Sequence, residues 1–182
     1  MRPSAQVIQI ISSSKWRMGV LRLVQDLALP DCWVGAGFVR NAVWDHLHGK
    51  SMTPMNDIDV VYFDPERTES AIDDNLELEL GSRSPRKRWS VCNQARMHLR
   101  NGDAPYTSTT DALRHWPETA TAVAVSLGQD GLLELLAPHG LDDLLELIVR
   151  PTSPAKAAIA AERAEAKRWA KLWPKLRFET AQ

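Results

Sequence analysis

Two aspartates, Asp57 and Asp59, stand two residues apart at the head of an apolar, β-branched run, Ile58 to Phe63. Alternation along a strand sends residues i and i+2 to the same face, so both carboxylates project toward one point. Two such groups repel each other and resist burial alone, and a divalent, oxygen-preferring cation held between them and a phosphate relieves both costs. Upstream, Gly35-Ala36-Gly37-Phe38 joins the short apolar run Cys32-Trp33-Val34 to a helical pattern through Val39, Val43 and Leu47. Glycines in such a turn let backbone amides approach anionic oxygens, and the start of a helix adds a favourable potential. Singly, each signal is weak: Asp-x-Asp triplets also fill loops and cap helices, and a lone Gly-x-Gly is usually just a tight turn. Together they outline a site for a metal ion and a phosphorylated ligand.

The elements that must position these residues can be read from periodicity and punctuation. Val7 to Ile11 and Met18 to Leu29 read as two amphipathic helices ending at Pro30. A first strand, Cys32 to Val34, leads through the glycine turn into a helix over residues 38–47, with Gly49 as its cap. After the strand Ile58 to Phe63, Asp64-Pro65 is expected to open a helix running through Leu78, and Gly81 to Arg88 reads as a polar loop. Trp89 to Cys92 is a third short strand, and Asn93 to His98 starts a helix that stops at Asn101-Gly102. A short helix begins near Thr110-Asp111. Thr121 to Leu127 and Leu132 to Ala137 flank an Asp-Gly turn and predict a hairpin, where pairing turns antiparallel after a parallel-style first half. Asp142 to Val149 is a compact helix. Ala155 to Trp173 predicts one long, alanine-rich helix with exposed Glu, Arg and Lys, including Arg163 and Lys167. The sum is an α/β (α+β) domain spanning residues 1–182, a mixed sheet of about five strands flanked by helices, with 153–174 a C-terminal helical extension.

With 22 basic against 23 acidic residues the formal charge is -1, which gives no general attraction for duplex DNA. Residues 1–15 lack the pattern of a signal peptide, and no run is long enough to span a bilayer, so a cytoplasmic protein is expected. Cys32 and Cys92 lie in strand-like runs and are expected to be buried, reduced thiols.

The segments Gly35-Ala36-Gly37-Phe38-Val39-Arg40-Asn41 and Asn56-Asp57-Ile58-Asp59-Val60 resemble the phosphate turn and aspartate pair of the polymerase-β-like nucleotidyltransferases. Asn93 to His98, Trp116 to Thr121 and Ala137 to Asp143 further resemble a bacterial branch described as nucleotidyltransferase family proteins, and the likeness runs from about Val20 to Arg150. The resemblance implies Mg²⁺ (or Mn²⁺) held by Asp57 and Asp59, which are then also the catalytic residues. It implies a nucleoside triphosphate contacted by Gly35, Ala36, Gly37, Phe38, Arg40, Asn93 and Arg96. The reaction would move a nucleoside monophosphate to an acceptor hydroxyl with release of pyrophosphate, a small molecule being favoured over RNA or protein as the acceptor.

Relatives usually carry a third carboxylate on a neighbouring strand, and Trp89 to Asn93 contains no acid. Asn93 could ligate a metal but is no base, so Glu118 and Glu134 are the candidates to complete the set. A non-catalytic nucleotide-binding or regulatory module of the same fold is the alternative. Arg96 and His98 are read either as ligand contacts or as ordinary surface positions. His46 and His48 are read as cations at a helix end, and Arg83, Arg86, Lys87 and Arg88 as a solvated loop able to meet an anionic partner.

Overall fold

The computed structural model of the chain describes residues 2–180, so the very ends of the expected 1–182 span lie outside the described residues. Two helices open it, α1 (Pro3–Ser12) with proline in its first turn and α2 (Lys15–Gln25) capped by the Ser14 side chain, which accepts from the Arg17 amide. Strand β1 (Trp33–Gly35) turns at Ala36 into α3 (Gly37–Leu47), and β2 (Ile58–Tyr62) follows. Helix α4 (Ser70–Arg83), β3 (Trp89–Asn93), and the short α5 (Met97–Asn101) and α6 (Thr109–Arg114) lead to the hairpin of β4 (Ala124–Leu127) and β5 (Leu133–Leu136). The chain ends with α7 (Asp142–Leu145), β6 (Ile148–Val149), α8 (Ala157–Ala166), α9 (Trp169–Leu172) and β7 (Arg177–Phe178).

The five-stranded sheet has the order β3-β2-β1-β4-β5, and β6 and β7 pair separately. Only β2 and β3 run parallel in the main sheet; β1 is antiparallel to both of its neighbours, so the parallel-style reading of the first half holds for one pair alone. Alternation separates two apolar layers. Val34, Ile58, Val60, Tyr62 and Val91 join α1, α2 and α3 in the large core, while Val61, Ala124, Leu136 and Leu113 form a small cluster on the other face. Asp59 lies one alternation from Val61, on the small-cluster face.

Several expected elements differ. Helix α2 ends at Gln25 rather than Leu29, and α4 runs on past Leu78 to Arg83, taking in the first residues of the stretch expected to be a polar loop from Gly81, where Arg83 pairs with Asp26 and Glu79. The helix after β2 starts at Ser70 rather than Pro65, because the Asp64 carboxylate accepts from the Glu66 amide and Arg67, and the Asn93 side chain donates to the carbonyls of Asp64 and Arg67, fixing that stretch as a turn. The Asp142–Val149 helix is one turn followed by a strand, since Ile148 and Val149 find partners in Arg177 and Phe178. The long C-terminal helix is broken: Arg168 adopts a left-handed backbone (φ 54°) between α8 and α9. Packing explains the break, because it lets Trp169 and Trp173 meet Trp44 edge-on, at ring separations of 5.5 and 5.1 Å. Both thiols are free as expected but half-buried rather than buried, and desolvation pushes Cys32 up to about 12 and Cys92 up to about 11.

One buried carboxylate ties these parts together. Asp45, on α3, accepts from the Trp173 indole (2.8 Å), the Thr53 amide (2.8 Å) and the Thr53 hydroxyl (2.6 Å). Nearby, the Lys175 amide donates to His48 Nε2, and His48 Nδ1 meets the Trp44 carbonyl at 2.7 Å, so His48 ties the tail to the end of α3. Asp45→Asn presents an amide to at least one of these donors and should cost about 2–3 kcal/mol, a drop of roughly 5–10 °C in Tm by thermal unfolding.

Candidate active site

The turn between β1 and α3 is built for close approach. A Cβ on Gly35 would meet the Trp116 ring and the Val123 carbonyl at 3.2 Å, so this glycine is fixed by packing against the β4 side. Ala36, not a glycine, takes the left-handed backbone there (φ 51°), and its carbonyl accepts from the Arg40 amide at 2.9 Å to start the helix. No side chain caps α3, and the amides of Gly37 and Phe38 have no acceptor among the described residues. The Phe38 ring is fully buried against Trp16, so its contribution to a ligand is confined to its backbone.

A cleft of about 270 Å³ adjoins this helix start and brings Gly37, Arg40, Asp57 and Asp59 together with Lys167 and Trp169 from the C-terminal segment. Asp57 is exposed and Asp59 half-buried. Neither forms an ion pair with another side chain among the described residues. Burial first, and the neighbouring Asp57 second, push Asp59 up to about 6, against the opposing pull of Lys167, Arg40 and Arg163. Unpaired, mutually repelling oxygen donors on one strand face suit a hard divalent cation.

Arg40 is a fixed part of the wall. It is 3% exposed; its guanidinium donates to the Thr121 hydroxyl at 2.8 Å and to the Asn41 side chain at 2.9 Å, and lies 4.4 Å from the Trp169 ring centre and 5.1 Å from that of Trp44. Its Nε has no hydrogen-bond partner among the described residues. Burial pulls it down to about 10, which leaves it charged at neutral pH, and it supplies fixed positive potential beside the carboxylates.

The other expected residues stand elsewhere. Asn93 is fully buried opposite Tyr62; its Oδ1 accepts from the amides of Asp64 and Ala95, so its side chain is consumed in holding a turn. Arg96 pairs with buried Asp73, which also accepts from the Tyr62 hydroxyl and the Asn93 amide. Neither lines the cleft. The residue that β3 sets beside Asp59 is Ser90. Glu118 is fully buried and ion-paired with Arg163 at 2.9 Å, and Glu134 lines a separate depression with Gln25 and Cys32. No group of three or more His, Cys, Asp or Glu able to hold a metal occurs among the described residues.

Lys167, Arg163 and Trp169 were not anticipated at the site. Their signal lay in spacing: Trp169 and Trp173 are one turn apart, as are Arg163 and Lys167, so an apolar stripe that must be buried carries the two cations along its edge.

The raised pKa of Asp59 has a stability consequence. Its charged form is disfavoured in the folded chain, so the metal-free protein gains stability as pH falls through about 6 toward the ordinary value of 3.8, and bears the cost above about 6. Asp59→Asn should therefore raise the Tm of metal-free protein at pH 7.5 by roughly 2–6 °C, corresponding to about 1–2 kcal/mol once partial exposure is allowed for, and the gain should vanish at pH 4.

Comparison with known proteins fits this geometry. A solved NMR structure described as revealing a CCA-adding enzyme head domain matches with a TM-score of 0.86 and 34% identity, over 97% of this chain and 96% of that one. A CCA-adding enzyme in complex with CTP matches with a TM-score of 0.61 at 17% identity, over 97% of this chain and 43% of that one. The Thermotoga maritima CCA-adding enzyme complexed with tRNA gives 0.55 at 19% identity, over 89% and 38%. The chain thus spans less than half the length of these two enzymes, and at that identity the likeness is one of fold. None of the curated proteins compared with it matches. A family model described as nucleotidyltransferase covers residues 22–178. With its mixed five-stranded sheet, this chain belongs to the nucleotidyltransferase family, within the polymerase-β-like superfamily.

Proposed function

We propose that the chain is a metal-dependent nucleotidyltransferase that moves a nucleoside monophosphate from a nucleoside triphosphate to the hydroxyl of a small acceptor, releasing pyrophosphate. One observation carries the reading: two unpaired carboxylates on one strand face open into the same cleft as an uncapped helix start. The solved relatives described with CTP and with ATP support a nucleotide ligand. Mg²⁺ (or Mn²⁺) would be held by Asp57 and Asp59, and when bound it would neutralise charge on the transferring phosphate. The chain's own groups do the remaining work. The free amides of Gly37 and Phe38 and the α3 dipole bind and orient phosphate oxygens. Arg40, buried against the edge-on pair of Trp44 and Trp169 and bonded to Thr121, lends positive potential without needing to move.

Ser90, standing beside Asp59 where relatives carry an acid, favours a second reading in which the cleft binds the triphosphate without transferring it. Incubation of the protein with each α-labelled triphosphate, Mn²⁺ or Mg²⁺ and a panel of hydroxylic acceptors separates the two. Labelled product and pyrophosphate are expected, and Asp57→Asn or Asp59→Asn should lower the rate by about 100-fold or more while the protein stays folded. Triphosphate binding with no product across the panel would leave the binding module standing and remove the enzyme.

A further inference from the structure

We propose that Lys167, delivered by the break between α8 and α9, grips the outer phosphates of the nucleoside triphosphate, so that the C-terminal segment is one wall of the nucleotide site. The inference rests on the reading of the cleft as a nucleotide site and adds to it the group that tells a triphosphate from a monophosphate.

The argument begins with charge. Three cations pull on Asp59: Arg40 and Lys167, which line the cleft with it, and Arg163, which does not. Two of the three are committed. Arg40 is bonded to Thr121 and Asn41 and lies against the Trp44 and Trp169 rings, and Arg163 is ion-paired with the fully buried Glu118. Lys167 alone is exposed at the rim of the cleft, and it makes neither an ion pair nor a hydrogen bond through its ammonium among the described residues. It feels Asp57 and Asp59 through space without closing on either. An ammonium that shares a small cleft with two carboxylates and bonds to neither leaves room between them for a group that is negative toward the lysine and cation-bearing toward the acids. A metal-bound polyphosphate has that polarity.

The backbone supports the same assignment. Arg168 sits in a left-handed conformation that a non-glycine residue adopts at an energetic cost, and the surrounding packing maintains it. Its effect is local and specific. The residue before it, Lys167, stays at the cleft rim, while the residue after it, Trp169, is buried beneath Arg40. A continuous helix would separate these two directions differently. The desolvating wall and the nearby Arg40 and Arg163 lower the Lys167 pKa, an arrangement that an incoming anion reverses.

Isothermal calorimetry on the full chain with Mg²⁺ tests this, using a nucleoside triphosphate, the matching monophosphate and inorganic pyrophosphate as separate probes. Lys167→Ala should weaken triphosphate and pyrophosphate binding by about 10- to 100-fold and change monophosphate binding by less than about twofold. Lys167→Arg should recover most of the loss. Under turnover, the alanine variant should raise KM for the triphosphate far more than it lowers kcat. Triphosphate binding unchanged in Lys167→Ala, or weakened equally for all three probes, would overturn the inference and leave a nucleotide cleft intact. Absence of triphosphate binding by the unaltered protein would overturn the nucleotide reading as well. Arg168→Gly, which keeps Lys167 and relieves the backbone, should retain the triphosphate preference, and its loss there would assign the effect to the shape of the segment and sink the role of the ammonium.

Discussion

The cleft depends on one buried carboxylate. Asp45 gathers a loop residue, Thr53, and a tail residue, Trp173, onto the last turn of the helix whose first turn lines the cleft. Each oxygen of a desolvated carboxylate must find donors, because leaving one bare costs more than any single bond returns. That requirement fixes three stretches of chain relative to each other. The loop so held runs directly into Asp57, and the tail so held carries Trp169 and Lys167.

Around this anchor the site is kept electrostatically uneven. Two carboxylates stand close enough to raise the pKa of one, and the cations nearby are mostly occupied with other partners. The protein thus holds a strained distribution of charge that a metal and an anion would relax. Burying Arg40 against Trp44 and Trp169 gives it low mobility and keeps water from screening it fully.

Much of this was legible in the sequence, for identifiable reasons. Strand alternation put Asp57 and Asp59 on one face, and the Gly35-Ala36-Gly37 turn stood where a strand meets a helix, both consequences of local geometry. What failed to show was long-range. Asn93 looked like a strand-end ligand because nothing local reveals that the Asp64–Arg67 turn would claim its amide. Arg96 was expected at the ligand, yet Asp73 from a different element takes it. The C-terminal break was invisible because helix propensity favours a continuous rod there, and only the need to seat Trp169 and Trp173 against Trp44 overrides it.

The bonds that finish the cleft also span the greatest lengths of chain. Trp173 reaches Asp45 across 128 residues, and Lys175 reaches His48 across 127. Closing loops of that size is entropically slow, and contacts between neighbours along the chain form before it. The pocket is therefore closed by contacts between distant parts of the chain, and its integrity reports on the whole tertiary structure rather than on any one segment.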